Sequence, residues 1–311
     1  MSPTSIFAPV STPAESILGL SVFVFSIVAV IFVVVFALLA YAVVRFRSQG
    51  SHSTEPAQIY GSTQVELAWT VIPVLIVVAL FLATARVIAS IQNQPRLQNA
   101  IEVVVTGHQY WWEYRYPSLN IVTANELHVP VSDPAHPTPT FLTLLSADTD
   151  HSFWVPRLGG KTDLIPNHPN QMWIDPHGLF LGQCAQYCGT QHAKMLLRVY
   201  VQSREEFDRW VHEQQQLPQT PASAGRRAFE STACVNCHTV SGTPAIGKFG
   251  PDLTHLMSRD TIAAGAAPNT PETLRLWIKN PDAIKPGSKM PAMGLSDQDL
   301  DAVTAYLETL R

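Results

Sequence analysis

All four cysteines of the chain lie in two short motifs that also contain histidine. The first motif, GQCAQYCGTQHAKM (residues 182–195), holds Cys184, Cys188, His192 and Met195. Thiolate, imidazole and thioether ligands together select copper in electron-transfer sites. A disulfide between the two cysteines is the alternative in an oxidising compartment, but the added histidine and methionine at loop spacing favour a metal site.

A copper site of this type needs a second imidazole from another part of the chain. His151, in DTDHSFWVP, is the strongest candidate because an extended segment follows it. Other histidines compete on residue type alone: His108, His128, His136, His168 and His177. We therefore predict His151 as the second imidazole ligand and keep the others as alternatives.

The second motif, ACVNCHTV (residues 233–240), contains the C-x-x-C-H pattern of c-type haem attachment. In this chemistry Cys234 and Cys237 bond the porphyrin, and His238 takes one axial position on the iron. Two redox centres on one polypeptide predict an electron relay.

The composition indicates a membrane segment near the N-terminus. Of the 311 residues, 46% are hydrophobic and only 14% are charged, and the length predicts two or three domains. Ile17 to Val44 carries no charge and exceeds the about 20 residues that a helix needs to cross a bilayer. A second run, from Leu67 towards Ile91, can tolerate Pro73 and Arg86 in a membrane helix. We predict a helical hairpin; a cleaved signal peptide and a buried core helix are the alternatives.

The charged residues that flank the two apolar runs indicate how the helices are oriented in the membrane. Arg45 and Arg47 follow the first run, which places the connecting loop in the cytoplasm by the positive-inside rule. Arg86 and Arg96 weaken this contrast. Because c-type haem is attached outside the cytoplasm, we expect everything after about residue 92, and both termini, to lie on the periplasmic or outer face.

Short β-branched or aromatic segments follow the hairpin and predict an antiparallel all-β unit, a small sandwich or barrel. The segments are Ile101–Thr106, Gln109–Tyr116, Glu126–Val131 and Thr140–Leu145. The unit extends to about Val201, and a polar helix over Ser203–Gln216 follows, opened by a serine N-cap. LPQTPASA, rich in proline and alanine, is predicted to be a linker.

The last part of the chain has a different pattern. Helix signals occur at Gly225–Ser231, Thr270–Lys279 and Ser296–Leu310. Glycine and proline dominate the middle, as expected where a chain wraps a flat cofactor. The predicted domains are a tail and helical hairpin (residues 1–95), a β domain (96–216), a linker (217–224) and an all-α haem domain (225–311).

Four motifs resemble cytochrome c oxidase subunit II, over about residues 12–215. They are ELAWTVIP (66–73), GHQYWWEYRYP (107–117), DTDHSFWVP (148–156) and GQCAQYCGTQHAKM (182–195). The segment with CVNCH resembles class I cytochrome c, so the whole chain resembles the fused subunit II of caa-type haem–copper oxidases. The resemblance implies a multidomain fold: a two-helix transmembrane hairpin, an all-β cupredoxin-like Greek-key barrel and an all-α class I cytochrome c domain.

The resemblance also implies a binuclear CuA centre in which two cysteine thiolates bridge two coppers. Carried over to this chain, the ligands are Cys184, Cys188, His151, His192, Met195 and the backbone carbonyl of Gln186. Many family members have a glutamate in place of Gln186, and its side chain helps hold magnesium at the interface with the catalytic subunit. A neutral amide is a poorer ligand for this hard cation, which puts the magnesium site in question.

For the haem, the resemblance implies a methionine as the second axial ligand. The KMP sequence at residues 289–291 matches the methionine loop of class I cytochromes, so we predict Met290. Met293 and Met257 are the alternatives. Gly250-Pro251 resembles the loop whose carbonyl orients the ligating histidine in the family.

Two further positions carry predictions from the resemblance. Tyr110 occupies the position of the tryptophan at which electrons enter in the family, so we hypothesise that electrons reach copper mainly through the chain's own haem. Glu66 matches a glutamate at the cytoplasmic mouth of a proton-uptake path. The alternative for Glu66 is an acidic residue favoured by the helix dipole at a helix N-terminus.

These predictions indicate a membrane-anchored electron-input subunit of a haem–copper terminal oxidase in the bacterial cytoplasmic membrane. It would pass electrons from haem c to CuA and on to a catalytic subunit that reduces oxygen to water and translocates protons. Expected partners are subunit I, other oxidase subunits, lipid and an upstream cytochrome c or quinol-oxidising complex, with no nucleic acid. The alternatives are the CuA subunit of a nitric oxide reductase and a free-standing membrane-anchored electron carrier or copper-handling protein.

Overall fold

The computed structural model describes residues 4–47, 58, 60–93, 96, 100–133, 138–176, 179–218 and 222–311. Contacts divide the chain into two compact units: Glu15–Pro95 forms one, and Met1–Ala14 with Arg96–Arg311 forms the other. His136 and His177, two of the alternative copper ligands, lie outside the described residues, as do residues 219–221 of the predicted linker.

Two long helices contain most of the first unit. Helix α1 spans Thr12–Arg45 and helix α2 spans Thr63–Gln92. Both are long enough to cross a bilayer, and large apolar side chains along them are exposed. Pro73 lies inside α2, which continues past it, as membrane helices allow. The prediction of two apolar helices is confirmed.

Two five-stranded sheets form the β domain. Their strands are β1 Ile101–His108, β2 Trp111–Tyr116, β3 Ile121–Ala124, β4 Glu126–Pro130, β5 Thr140–Ser146, β6 His151–Trp154, β7 Thr162–Leu164, β8 Asn170–Ile174, β9 Leu179–Cys184 and β10 Leu196–Gln202. The strand orders are β3-β2-β1-β5-β8 and β4-β10-β9-β6-β7. The sheets are mixed rather than purely antiparallel, because β1 pairs with β5 and β4 with β10 in parallel after crossover connections.

The core of this barrel lies between the two sheets. Alternate residues of β1, such as Val103 and Val105, point into it. The largest fully buried side chains there include Trp112, Tyr114, Tyr116, Phe153 and Phe180. The strand predicted over residues 109–116 begins at Trp111, because Gln109 and Tyr110 form the turn between β1 and β2.

Helix α3, Arg204–Gln215, follows the barrel as predicted. Ser203 and Glu206 form a capping box at its start, which satisfies backbone N–H groups that the helix leaves unpaired. Phe207 and Trp210 are buried against the barrel core. The helix therefore covers one side of the β domain.

Short helices build the C-terminal domain. They are α4 Ala224–Ser231, α5 Cys234–Cys237, α6 Pro271–Lys279 and α7 Asp297–Leu307, with a small sheet of β11 Thr261–Ile262 and β12 Ala267–Pro268. Helix α4 packs closely on α7, because a Cβ on Gly225 would lie 1.8 Å from the carbonyl oxygen of Ala302. Helix α7 ends before Leu310, whose N–H turns back to bond the carbonyl of Leu307.

The barrel and the C-terminal domain belong to the same compact unit and are in direct contact. Trp111 and Ala124 of the barrel form a buried cluster with Ala264 of the C-terminal domain. The N–H of Leu196 on β10 donates to the carbonyl oxygen of Ala264 at 3.1 Å. Main-chain bonding and apolar packing both contribute to this interface.

Candidate metal and haem sites

The side chains of the first cysteine motif converge at one end of the barrel. Strand β9 ends at Cys184, and the loop to β10 carries Cys188, His192 and Met195. Strand β6 pairs with β9 and begins at His151. Strand pairing therefore brings the predicted distant ligand to the loop.

The donor atoms of these five side chains lie close together. Cys184 Sγ lies 3.8 Å from Cys188 Sγ and 3.9 Å from His151 Nδ1. Cys188 Sγ lies 3.8 Å from His192 Nδ1 and 3.9 Å from Met195 Sδ. The predicted ligand side chains thus form one cluster.

The alternative of a disulfide does not describe this site. Both cysteines are free and only 3% exposed, and their 3.8 Å separation is far beyond the about 2.05 Å of an S–S bond. The carbonyl oxygen of Gln186 lies 3.1 Å from Cys184 Sγ and adds the sixth predicted donor.

The two thiols of the cluster differ in ionisation. The hydrogen bond between their sulfurs lowers the pKa of Cys184 and raises the pKa of Cys188. Ionisation of Cys184 is therefore favoured over ionisation of Cys188. A metal bound by both sulfurs displaces any proton that they carry.

Asp148 orients His151, a role that the sequence analysis missed. His151 Nε2 lies 2.8 Å from Asp148 Oδ1, so Nδ1 is left to face Cys184. Burial pushes the pKa of Asp148 upward, but hydrogen bonds from His151 and from the N–H groups of Gln109 and Thr149 lower it to about 2. Histidine ligands of metals usually have such a carboxylate partner, so an acidic residue shortly before His151 was the available signal.

The described competing histidines have other environments. His108 stacks on the ring of a β2 tryptophan at a centroid distance of 4.2 Å. His128 lies between the rings of Tyr200 and Trp210, at 4.8 and 4.4 Å, and burial lowers its pKa to about 4. His168 is exposed. Among the described histidines, the two that contact a cysteine sulfur are those predicted as ligands.

The chemistry of this donor set fits copper. Two cysteines and two histidines alone would also suit zinc in a tetrahedral site. The thioether of Met195 is fully buried against Cys188. Because a thioether added to thiolate and imidazole ligands is typical of copper electron-transfer sites, the residues favour copper.

The second cysteine motif forms a single helical turn, α5. Cys234 and Cys237 are three residues apart on this turn and share one face. His238 follows, and its Nδ1 lies 2.7 Å from the carbonyl oxygen of Pro251, which leaves Nε2 for iron. A Cβ on Gly250 would lie 2.6 Å from His238 Cε1, so the loop requires glycine here.

The motif opens onto a cavity that is partly open to solvent. Its apolar lining includes Leu253, Leu256, Ile262, Leu274, Trp277 and Ile278. Met290 and Met293 both line the cavity, whereas Met257 packs against the domain core. Two thiols, an imidazole and a thioether around one apolar cavity fit a c-type haem.

One wall of this cavity comes from the barrel, which the sequence analysis did not foresee. Gln109, Tyr110, Trp111 and Asn125 line it. The Nε2 group of Gln109 donates to the carbonyl oxygen of Cys188 at 2.6 Å. One residue therefore connects the haem cavity to the copper loop.

Glu66 lies in the first turn of α2. The hydroxyl of Thr70 donates to its backbone carbonyl at 2.8 Å, within the helix. A carboxylate at this end of a helix interacts favourably with the helix dipole. The role of Glu66 in proton uptake stays a prediction.

Three family models match successive parts of the chain. The model "Cytochrome C oxidase subunit II, transmembrane domain" matches residues 4–87. The model "Cytochrome C oxidase subunit II, periplasmic domain" matches residues 135–202, and "Cytochrome c" matches residues 222–311. The matches follow the order of the helices, the barrel and the C-terminal domain.

Curated relatives match over nearly the whole length. Cytochrome c oxidase subunit 2 of Alkalihalophilus pseudofirmus is 35% identical over 296 residues, covering 92% of this chain and 84% of the relative. Cytochrome c oxidase subunit 2 of Bacillus sp. strain PS3 is 32% identical over 288 residues, covering 85% of this chain and 79% of the relative.

Among solved structures, the periplasmic domain of cytochrome oxidase subunit II of Bradyrhizobium japonicum is 29% identical. The structural match covers 39% of this chain and 96% of the Bradyrhizobium domain, with a TM-score of 0.36. By its family models and its full-length relatives, the chain belongs to the cytochrome c oxidase subunit II family and carries a cytochrome c domain at its C-terminal end.

Proposed function

We propose that this chain receives electrons at the Cys234–His238 motif and passes them, at Cys184 and Cys188, towards the catalytic subunit of a haem–copper oxidase. As a family member it is an electron-input subunit, and its domains imply haem c and copper. When bound, haem c and a binuclear CuA centre would each supply a one-electron redox couple. The observation that carries the proposal is the position of Gln109, which lines the haem cavity and bonds the copper loop.

The barrel end would hold the copper pair. The residues that would hold it are Cys184, Cys188, His151, His192, Met195 and, through its carbonyl oxygen, Gln186. Strands β6, β9 and β10 fix these residues against a packed core. Ligands that are held in place by their fold move little when an electron arrives or leaves, and small reorganisation favours fast transfer.

The C-terminal domain would hold the haem. Cys234 and Cys237 would form the covalent attachment, and the Pro251 carbonyl, which contacts His238 Nδ1, would leave Nε2 of this histidine for the iron. Met290, which lines the cavity, would be the second protein ligand of the haem, and its thioether would raise the reduction potential relative to a nitrogen ligand. The apolar lining of the cavity would limit access of water to a bound haem.

Gln109 would couple the two sites. Its N–H donates to Asp148 Oδ2 at 2.6 Å, and its Nε2 donates to the Cys188 carbonyl at 2.6 Å. The same residue therefore reaches a bridging cysteine and the carboxylate that orients His151. Bonded paths of this kind carry electron tunnelling better than gaps through space. This supports the hypothesis that electrons reach copper mainly from the chain's own haem.

The partner supplies the rest of the reaction. The family makes the chain a membrane-anchored protein with periplasmic domains that associates with other oxidase subunits. In our proposal the membrane is the bacterial cytoplasmic membrane, and subunit I reduces oxygen to water and translocates protons. An upstream cytochrome c or quinol-oxidising complex feeds the haem.

Glu66 is proposed to lie at the entrance of the proton path into subunit I. Glu66→Gln keeps the shape of the side chain but removes its titratable group. We expect oxygen reduction by the complex to slow several-fold while the spectra of both redox centres stay unchanged. Normal turnover of the Glu66→Gln variant would contradict a role in proton uptake and would favour the alternative, an acidic residue stabilised by the helix dipole.

Analysis of the purified complex tests the proposed function. We expect two coppers for this chain in addition to those of the partner, a c-type pyridine haemochrome and consumption of oxygen. Consumption of nitric oxide instead would favour a nitric oxide reductase. A stable anchored chain without a catalytic partner on native electrophoresis would favour a free-standing carrier and contradict the proposal.

A further inference from the structure

Each of the two domains, the barrel and the C-terminal domain, has a buried side chain that hydrogen-bonds the main chain of the other. Glu126 of β4 is 1% exposed and reaches across it. Its carboxylate accepts the N–H of Asp260 at 3.0 Å, the N–H of Thr261 at 2.9 Å and the hydroxyl of Thr261 at 2.6 Å. Burial raises the pKa of Glu126 even though these bonds act to lower it. A barrel carboxylate thus satisfies main-chain donors of the other domain.

Lys285 makes the reciprocal contact. It belongs to the C-terminal domain and is only 3% exposed. Its Nζ donates to the carbonyl oxygen of Tyr110 at 2.7 Å and to that of Ala263 at 3.1 Å. Burial lowers the pKa of Lys285 to about 7, because removing the ammonium group from water disfavours its charged form. Lys285, Tyr110 and Ala263 all line the haem cavity, so this contact closes its wall.

The segment between these two contacts has an unusual backbone. Ala263, Ala264 and Gly265 have φ angles of 55°, 58° and 76°. Alanine rarely adopts this left-handed region, and such residues persist where their surroundings hold them. Here the surroundings are the barrel: the Ala264 carbonyl accepts the Leu196 N–H, and the Ala264 side chain is buried against Trp111.

These observations distinguish a fixed domain from a mobile one. A cytochrome domain on a tether could deliver electrons by repeated docking, but docking surfaces that separate seldom bury charged groups whose partners lie in the other domain. Glu126 and Lys285 are both buried, and both depend on main-chain partners across the interface. Separation of the domains would leave those partners without their bonds.

We propose that Glu126 and Lys285 are positioning residues that hold the haem domain in one fixed orientation on the barrel, so that electron transfer from haem to copper needs no docking step. This inference rests on the proposed function for its electron-transfer readout. Its structural content, a permanently closed interface, can be measured separately.

The test uses the full-length protein loaded with both cofactors. The variants are Glu126→Gln, which places an amide donor against N–H groups, Lys285→Met, which keeps length but removes the donors, and their combination. Lys279→Met and Glu102→Gln are matched controls, because they remove exposed charges from the same two domains. Copper content and the pyridine haemochrome confirm that each protein is loaded.

Two measurements show whether the interface between the domains stays closed. The rate of copper reduction after photoreduction of the haem is measured across a range of solvent viscosity, and amide hydrogen exchange is followed at Leu196. The Leu196 N–H bonds across the interface, whereas the N–H of Arg198 bonds Asn125 within the barrel and serves as reference. In the unmodified protein and the controls, we expect a viscosity-independent rate and slow exchange at both amides.

In the double variant, we expect slower transfer that depends on viscosity and exchange at Leu196 faster by about tenfold or more, with Arg198 unchanged. If the combination does not load, Lys285→Met alone should show the same changes to a smaller degree. A viscosity-dependent rate in the unmodified protein, or unchanged rate and exchange in the variants, would overturn the proposal. Absence of any haem-to-copper transfer would instead refute the proposed function, while exchange at Leu196 would still decide whether the domain is fixed.

Discussion

The copper site and the haem cavity are constructed in different ways. The copper donors come from one domain, and their side chains contact each other in one cluster. The haem ligands surround an open volume, and part of its wall belongs to the barrel. All the copper donors therefore come from a single domain, whereas the wall of the haem cavity is shared by two domains.

The largest expected effect is the loss of copper in Cys184→Ser with the haem retained. A hydroxyl is a poor substitute for a bridging thiolate, so copper content should fall to background. Because Cys234, Cys237 and His238 belong to the other domain, the pyridine haemochrome should be unchanged. Metal and haem analysis of one preparation measures both, and normal copper content would contradict the ligand assignment.

The reverse experiment removes the haem and asks whether copper binding is retained. Replacing both Cys234 and Cys237 with serine removes the thiols that bond the porphyrin, so covalent haem should be absent. The copper donors belong to the barrel and do not line the haem cavity, so copper content should stay at the level of the unmodified protein. Loss of copper together with haem would show that the copper site is not self-contained.

Asp148→Asn tests how far the copper site depends on its supporting residues. The amide keeps the size of the side chain but weakens the contact to His151 Nε2, and copper affinity should fall by about 10–100-fold. Asp150→Asn, which changes an exposed neighbour, is the control. Competition with a copper chelator measures the affinity, and equal values for the two variants would argue against the orienting role.

Met290→Leu and Met293→Leu distinguish the two methionines that line the haem cavity. We expect Met290→Leu to abolish the sulfur-to-iron absorption band and to lower the haem potential, while copper content is unaffected. Met293→Leu should leave the band intact. The opposite pattern would move the axial role to Met293.

Gln109→Leu should have the smallest effect because it leaves every ligand in place. Loss of its bond to the Cys188 carbonyl should slow haem-to-copper transfer several-fold and destabilise the protein by about 1–3 kcal/mol. Gln215→Leu removes a similar amide-to-carbonyl bond at the surface, to Leu119, and is the control. Equal transfer rates in both variants, measured after photoreduction, would remove Gln109 from the path.

Local patterns predicted the two long helices, several strands of the barrel and the side chains that lie together in the first cysteine motif. The uncharged run in α1 predicted a membrane helix, and the spacing of Cys184, Cys188, His192 and Met195 predicted a loop that gathers donors. The distant His151 could be selected because an extended segment follows it. The helices and the clustering of these side chains could be predicted because they depend mainly on nearby residues in sequence; the binding of copper by the cluster stays a prediction.

Contacts between distant residues could not be predicted in this way. Gln109 and Cys188 are far apart in sequence, and their bond depends on the register of β1, β2 and β9. The parallel pairing of β1 with β5 also follows from the crossover topology rather than from alternation along a strand. The reach of Lys285 to Tyr110 depends on how two domains meet, which composition does not encode.

Electron transfer within a single chain is the central claim, and time-resolved absorption tests it most directly. The haem of the full-length, cofactor-loaded protein is photoreduced, and reduction of copper is followed at several protein concentrations. We expect a first-order process whose rate is independent of concentration, because donor and acceptor share one polypeptide. A rate that rises in proportion to concentration would contradict intramolecular transfer.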